Sequence, residues 1–167
     1  KTAGVKARKP QQLTHNREGN FNPAICARTK ILAFTSSRDR VSELYRMKLD
    51  GSEVRRLTYS PGSEWRPVCA PMGDRIYFVS DSDGADRIYG IHVNGSTPKR
   101  VSLRGLDSSI VEDSPALSAD GRYLAFIVRA PQGTPHAGSR LHVIDLKSGS
   151  ERELPTPKNL RAAEPAW

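Results

Sequence analysis

No run of apolar residues approaches the roughly 18 needed to cross a bilayer as a helix, so neither a membrane-spanning helix nor an uncleaved signal sequence is expected in this chain. The chain starts at Lys1 rather than Met, so a processed or cut chain is expected. Capped helical periodicity is missing too, which removes the α-rich classes. No G-x-S-x-G elbow, Walker loop or HExxH occurs, and His15, His92, His136 and His142 show no paired metal spacing. Catalysis is therefore supported by no motif, and no cofactor or metal is expected. Aromatic residues are only 7% of the chain and sit mostly at core-like positions, leaving few side chains on which bases could stack.

What is present is a basic chain with a net charge of +8. Five cations, Lys1, Lys6, Arg8, Lys9 and Arg17, precede the first acid, Glu18, and the rest of the excess is scattered. A solvated basic leader explains that distribution better than a nucleic-acid surface does. At 37% hydrophobic and 26% charged, the remainder reads as an ordinary globular domain.

The decisive feature is internal repetition. Leu13, Leu57 and Val101 follow one another at intervals of 44 residues, and the pairs Pro23/Pro67, Phe34/Phe78, Tyr45/Tyr89 and Gly51/Gly95 keep the same interval. A third copy contains Pro115, YLAF (123–126) and LHVIDLKSG (141–149), and a fourth opens with ELP and EPAW. Within a unit, KILAFTSS, RIYFVSDS and YLAFIVRA read as strands buried on both faces. YRMKL alternates, with Tyr45, Met47 and Leu49 on one face, and DG, NG and SG supply hairpin corners. Four strands per unit, repeated, predict an all-β fold of the β-propeller type. Residues 1–11 form the leader or the end of a preceding blade; the repeats span about 12–55, 56–99 and 100–152, with a partial unit over 153–167.

The run RRLTYSPGSEWRPVCAPMGDRIYFVSDSDGADRIYGIHVNG resembles the WD40-like repeat of TolB-type propellers, as does SADGR (118–122). The likeness covers about residues 11–167, although CARTK and APMGD stand where that family carries SPDG. It implies a six-bladed propeller of which this chain holds three blades, and a non-catalytic, periplasmic or otherwise exported scaffold of the bacterial envelope. The implied partner is a Pal-like lipoprotein. The missing blades come from the same chain, another chain or a homodimer. The same fold occurs as the propeller of prolyl-oligopeptidase-like serine peptidases and as metal-dependent lyases, which stand as the alternatives.

In this register the strand 2–3 corners and the loops into the next blade share one face, where binding residues are expected. Asn20, Glu64 and Glu112 each lie three residues before a repeat proline, beside Phe21, Trp65 and Asp113. They form either a ring of acceptors around a channel mouth or anchors for their own loops. Trp65 with Arg66 reads as an interface anchor or as packing over its own blade. Arg38, Asp39, Asp81 and Asp83 lie on the corners of the same face. SDSDGAD (80–86) fails the calcium-loop pattern, with Gly84 too early and no distant Glu, so it reads as a tight corner or an acidic contact loop. Cys26 sits one step further along its strand than Cys69 does, so alternation aims the two at opposite faces, and two buried free thiols are expected.

Overall fold

A computed structural model describes residues 9–102, 109–133 and 137–155. His136, Pro165, Trp167 and the partial unit beyond residue 155, like the first eight residues of the leader, lie outside the described residues. Among the described residues, twelve strands form three four-stranded antiparallel sheets, each in simple sequential order. The first sheet holds β1 (Asn20–Cys26), β2 (Ile31–Asp39), β3 (Val41–Lys48) and β4 (Arg55–Arg56). The second holds β5 (Glu64–Cys69), β6 (Arg75–Ser80), β7 (Arg87–His92) and β8 (Lys99–Arg100). The third holds β9 (Val111–Leu117), β10 (Tyr123–Ala130), β11 (Gly138–Asp145) and β12 (Glu151–Leu154). β1 lies beside β5 and β5 beside β9, so these strands are innermost, as in three consecutive propeller blades. Sequence repeat and blade are out of phase: Leu57 follows an outer strand and packs into the junction with the next blade.

The second strands carry apolar side chains on both faces, and most of these are buried. Phe34, Phe78 and Phe126 are almost fully buried and stack on Tyr45, Tyr89 and, in blade three, tilt against His142. Gly51 and Gly95 take φ of 87° and 91° at the DG and NG corners, a region that L side chains occupy only with strain. Leu49 differs from its expected inward slot. β3 ends at Lys48, the turn begins, and Leu49 is exposed.

Blades pack front to back. Cys26, Ile31, Ala33 and Leu44 on the back of blade one meet Leu57, Ile76, Phe78, Tyr89 and Ile91 at the front of blade two. Tyr77, Val79 and Ile88 on the back of blade two meet Leu124, Phe126 and Ile144 of blade three. This arrangement overturns the expectation of free thiols: Cys26 and Cys69 form a disulfide, with Cα atoms 5.1 Å apart. Alternation does send the two side chains to opposite faces, but they belong to successive blades. The back of one blade is packed on the front of the next, so opposite directions bring them together.

The front of blade one has no such cover among the described residues. Phe34, Tyr45 and Met47 are shielded by Leu13, the counterpart of Leu57, while Ile25 is 63% exposed in the slot that Cys69 and Leu117 occupy within junctions. An apolar groove of about 180 Å³ runs there between Leu13, Phe21, Leu32 and Met47. Stability should report this asymmetry. Phe78→Ala is expected to cost about 3–5 kcal/mol, whereas Ile25→Ser should stay within about 0.5 kcal/mol of the parent in urea titrations.

Candidate functional site

The axis carries the first element of the site. In each innermost strand the ladder shifts register by one residue around the repeat proline, between Phe21 and Ala24, Trp65 and Val68, and across Ser114–Pro115. The residue before each proline adopts positive φ: 48° at Asn22, 50° at Arg66 and 53° at Ser114. Proline has no N–H to give to a ladder, so a bulge is where a strand tolerates it. The three bulges and their prolines, with Val68, line an open groove of about 250 Å³ along the axis.

Arg66 supplies the charge on that groove. Its Nε lies 3.2 Å from Asp113 Oδ1 and its Nη1 donates to Ser114 Oγ at 3.1 Å. Arg129 Nη1 approaches the other oxygen of Asp113 at 2.5 Å. One largely buried carboxylate thus holds two part-exposed guanidinium groups at the rim. Asp86, close by, has its carboxyl raised above the usual range by burial, with Asp81 and Asp113 adding to the effect.

The loop-face corners are fastened by a repeated contact. The Tyr45 hydroxyl donates to Asp39, and the Tyr89 hydroxyl to Asp83, across the corner between second and third strands. Asp39 is held below the usual carboxylate range, first by that hydroxyl and then by Arg56. Asp81 Oδ1 accepts the Ser63 N–H at 2.6 Å, tying its corner to the loop before β5, and a side chain at Gly62 would collide with it. Gly84 takes φ of 86° with nothing nearby, so it is there for the turn. The SDSDGAD run is a laced corner, and no metal-holding group of three ligands is found among the described residues.

Two acids point into the blade junctions instead of the mouth. Glu64 is 1% exposed and Glu112 fully buried. Glu64 accepts from Ser60 and Ser80 on one oxygen, at 2.6 and 3.1 Å, and meets the Thr58 hydroxyl on the other at 2.9 Å. That hydroxyl also lies 2.6 Å from Glu43, a buried acid of blade one paired with Arg56. Thr58 has one proton for two carboxyl groups. Burial, and then the nearby Glu43, push the Glu64 carboxyl up to about 7. In the next junction Glu112 accepts the Ile88 N–H at 2.9 Å and the Ser102 hydroxyl, with Arg100 3.7 Å away; burial raises it as well.

With that geometry in place, the likeness to known proteins is specific. The family model for the TolB β-propeller domain matches residues 3–167. The chain belongs to the TolB β-propeller family. An uncharacterised protein of Agrobacterium fabrum is 32% identical over 138 residues, covering 75% of this chain and 44% of that protein. A TolB-type structure from Agrobacterium tumefaciens is 25% identical with a TM-score of 0.69, covering 84% of this chain and 50% of its own. TolB from Acinetobacter baumannii is 28% identical with a TM-score of 0.70, covering 89% and 35%. This chain therefore spans half or less of the length of these relatives. A manganese complex of oligogalacturonate lyase, at 16% identity and a TM-score of 0.68, shares the fold alone.

Set on the TolB-type frame, the expected site residues separate into two groups. Asn20, Arg38, Asp39, Arg66, Asp81, Asp83 and Asp113 lie on the loop face or at the groove rim. Glu64 and Glu112 anchor loops inside junctions, and Trp65 is half-buried against the core between blades two and three. Asn22 and Ser114 at the groove, and Glu43, Arg56 and Tyr59 beside the first junction, were not singled out in the sequence. A polar residue immediately before each repeat proline was the available signal for the first two.

Glu64 has a measurable consequence. Its ordinary value is 4.5 and its folded value about 7, so the native state keeps a proton that the unfolded chain has lost. Stability from this group is full below pH 4.5, falls as pH rises to 7 and then levels off, a change on the order of 3 kcal/mol. Urea titrations across that range should show the decline in the parent and a flatter profile in Glu64→Gln.

Proposed function

We propose that this chain is part of an exported TolB-like scaffold that binds a protein partner through the loop face of the propeller. The observation that carries the reading is that polar side chains along the axial groove and on the loop-face corners are fixed before any partner arrives. Asp113 orients Arg66 and Arg129, Tyr45 and Tyr89 hold the corner acids, and the bulges fix Asn22 and Ser114. Side chains ordered during folding lose little further entropy on binding, so a rigid rim favours docking of another surface.

The Cys26–Cys69 disulfide supports export, because such bonds persist in oxidising compartments such as the periplasm. The uncovered front of blade one supports a ring completed by further blades, from the same polypeptide or from a second copy. Within the envelope, the partner suggested by the family is a Pal-like lipoprotein.

The test is binding of the soluble domain of a Pal-type lipoprotein to the full-length polypeptide, followed by calorimetry. Asp83→Lys and Arg129→Glu on the loop face should each weaken binding about tenfold or more, and Arg28→Glu on the opposite face should leave it unchanged. Absence of binding, or equal losses from both faces, would contradict the proposal.

A further inference from the structure

We infer that the loop face carries a preformed docking patch for an acidic peptide segment, centred on Tyr59 and on the Arg56 guanidinium that holds it. This rests on the loop-face reading and specifies the chemistry of the partner. Tyr59, in the loop that leads from β4 to β5, is 76% exposed, the most exposed of the large apolar side chains described. Its ring is nevertheless not loose, since the Arg56 Cζ lies 4.4 Å from the ring centroid. Arg56 is itself pinned: Nε donates to Thr58 O at 2.6 Å, Nη1 to Asp39 Oδ2 at 3.0 Å, and Nη2 to the buried Glu43. A cation over an aromatic face is attractive, so the buried acid fixes the guanidinium and the guanidinium orients the ring. Tyrosine and arginine are also the residue types that most often dominate interface energetics.

The charge on the blade-one part of the loop face selects the partner. Arg17 and Arg40 are exposed and Arg38 and Arg56 partly so, against Glu18, Asp39 and the buried Glu43 that pairs with Arg56. Asp39 is already engaged by Tyr45 and Arg56. Arg38 donates to Asn20 Oδ1 at 2.9 Å and to Asn16 Oδ1 at 3.3 Å, which fastens the corner of blade one to the loop carrying Arg17. The neighbouring corner in blade two has the opposite character, with Asp81, Asp83 and Asp86. A uniform polyanion such as a nucleic acid, laid across the face, would meet those acids. A peptide whose acids are confined to the stretch over blade one would not.

The probes are fluorescent peptides of equal length with one aromatic residue each, one with Glu and Asp clustered at one end and one with Lys at the same positions, and a single-stranded oligonucleotide. Anisotropy titrations against the full-length polypeptide should show binding of the acidic peptide in preference to the other two. Tyr59→Ala and Arg40→Glu should each weaken it about tenfold or more. Tyr59→Phe should retain binding, and thermal melts of the Tyr59 variants should match the parent because the ring lies outside the core. Equal binding of the Lys-rich peptide or the oligonucleotide, no binding of the acidic peptide, or an unaffected Tyr59→Ala would overturn the inference. If Tyr59→Ala is silent while Arg129→Glu weakens lipoprotein binding, the patch is wrong and the loop-face reading stands. If Arg28→Glu alone weakens lipoprotein binding, both fall.

Discussion

A sheet with two apolar faces has to be covered twice, and most of the structure follows from that requirement. Blade two is half of two cores, and blades one and three each share one of them. At the junctions the back of a blade offers smaller or branched groups such as Ala33, Leu44 and Val79, and the front of the next offers Phe78, Tyr89 or Phe126. The short, charged outer strands β4 and β8, two residues each, leave little edge for foreign strands to pair with. The same requirement makes the front of blade one the unfinished surface. It presents the slots that the following blades bury, with Ile25 in the position taken by Cys69 and Leu117.

Polar groups are drawn into the junctions by the same geometry. The position occupied by Glu64 and Glu112 is turned toward the preceding blade: Glu64 gathers the hydroxyls of Thr58, Ser60 and Ser80, and Glu112 the Ile88 N–H and the Ser102 hydroxyl. Opposite Glu112 the preceding blade supplies Arg87, the counterpart of Glu43, which donates to the carbonyls of Asp86 and Ile110. Opposite Glu64 it supplies Glu43 itself. The first junction therefore needs a shared proton and the arginine at position 56, whereas the second is neutralised by cations. Unsatisfied buried acids are costly, so these networks fix how adjacent blades sit and, through Arg56, how Tyr59 is presented.

Much of the fold was legible because it is written as a period. The recurring Leu/Val, Pro, Phe and Tyr slots gave strand number, blade number and the face on which the loops gather. The failures came from reading each strand by itself. Alternation placed Cys26 and Cys69 on opposite faces correctly, but only the stacking of blades says that opposite faces touch. The spacing of Glu64 and Glu112 from the repeat prolines was visible, yet their direction depends on the one-residue bulge at each proline, which moves the neighbouring side chains relative to the ladder. For Trp65 the polar residues around it in sequence left an interface anchor and packing over its own blade both open; in space it packs against the cluster that holds Val79 and Ile88. Tyr59 gave no signal by itself; its role emerges only where Arg56 and Glu43 converge.

Face-to-face stacking of successive blades is the central claim, and the Cys26–Cys69 bond is its most direct chemical record. Protein recovered from an oxidising compartment, digested without reduction and examined by mass spectrometry, should yield one linked pair of peptides containing Cys26 and Cys69, with neither thiol open to alkylation. Recovery of both cysteines as alkylated single peptides, or linked to separate copies of the chain, would contradict the stacking described here.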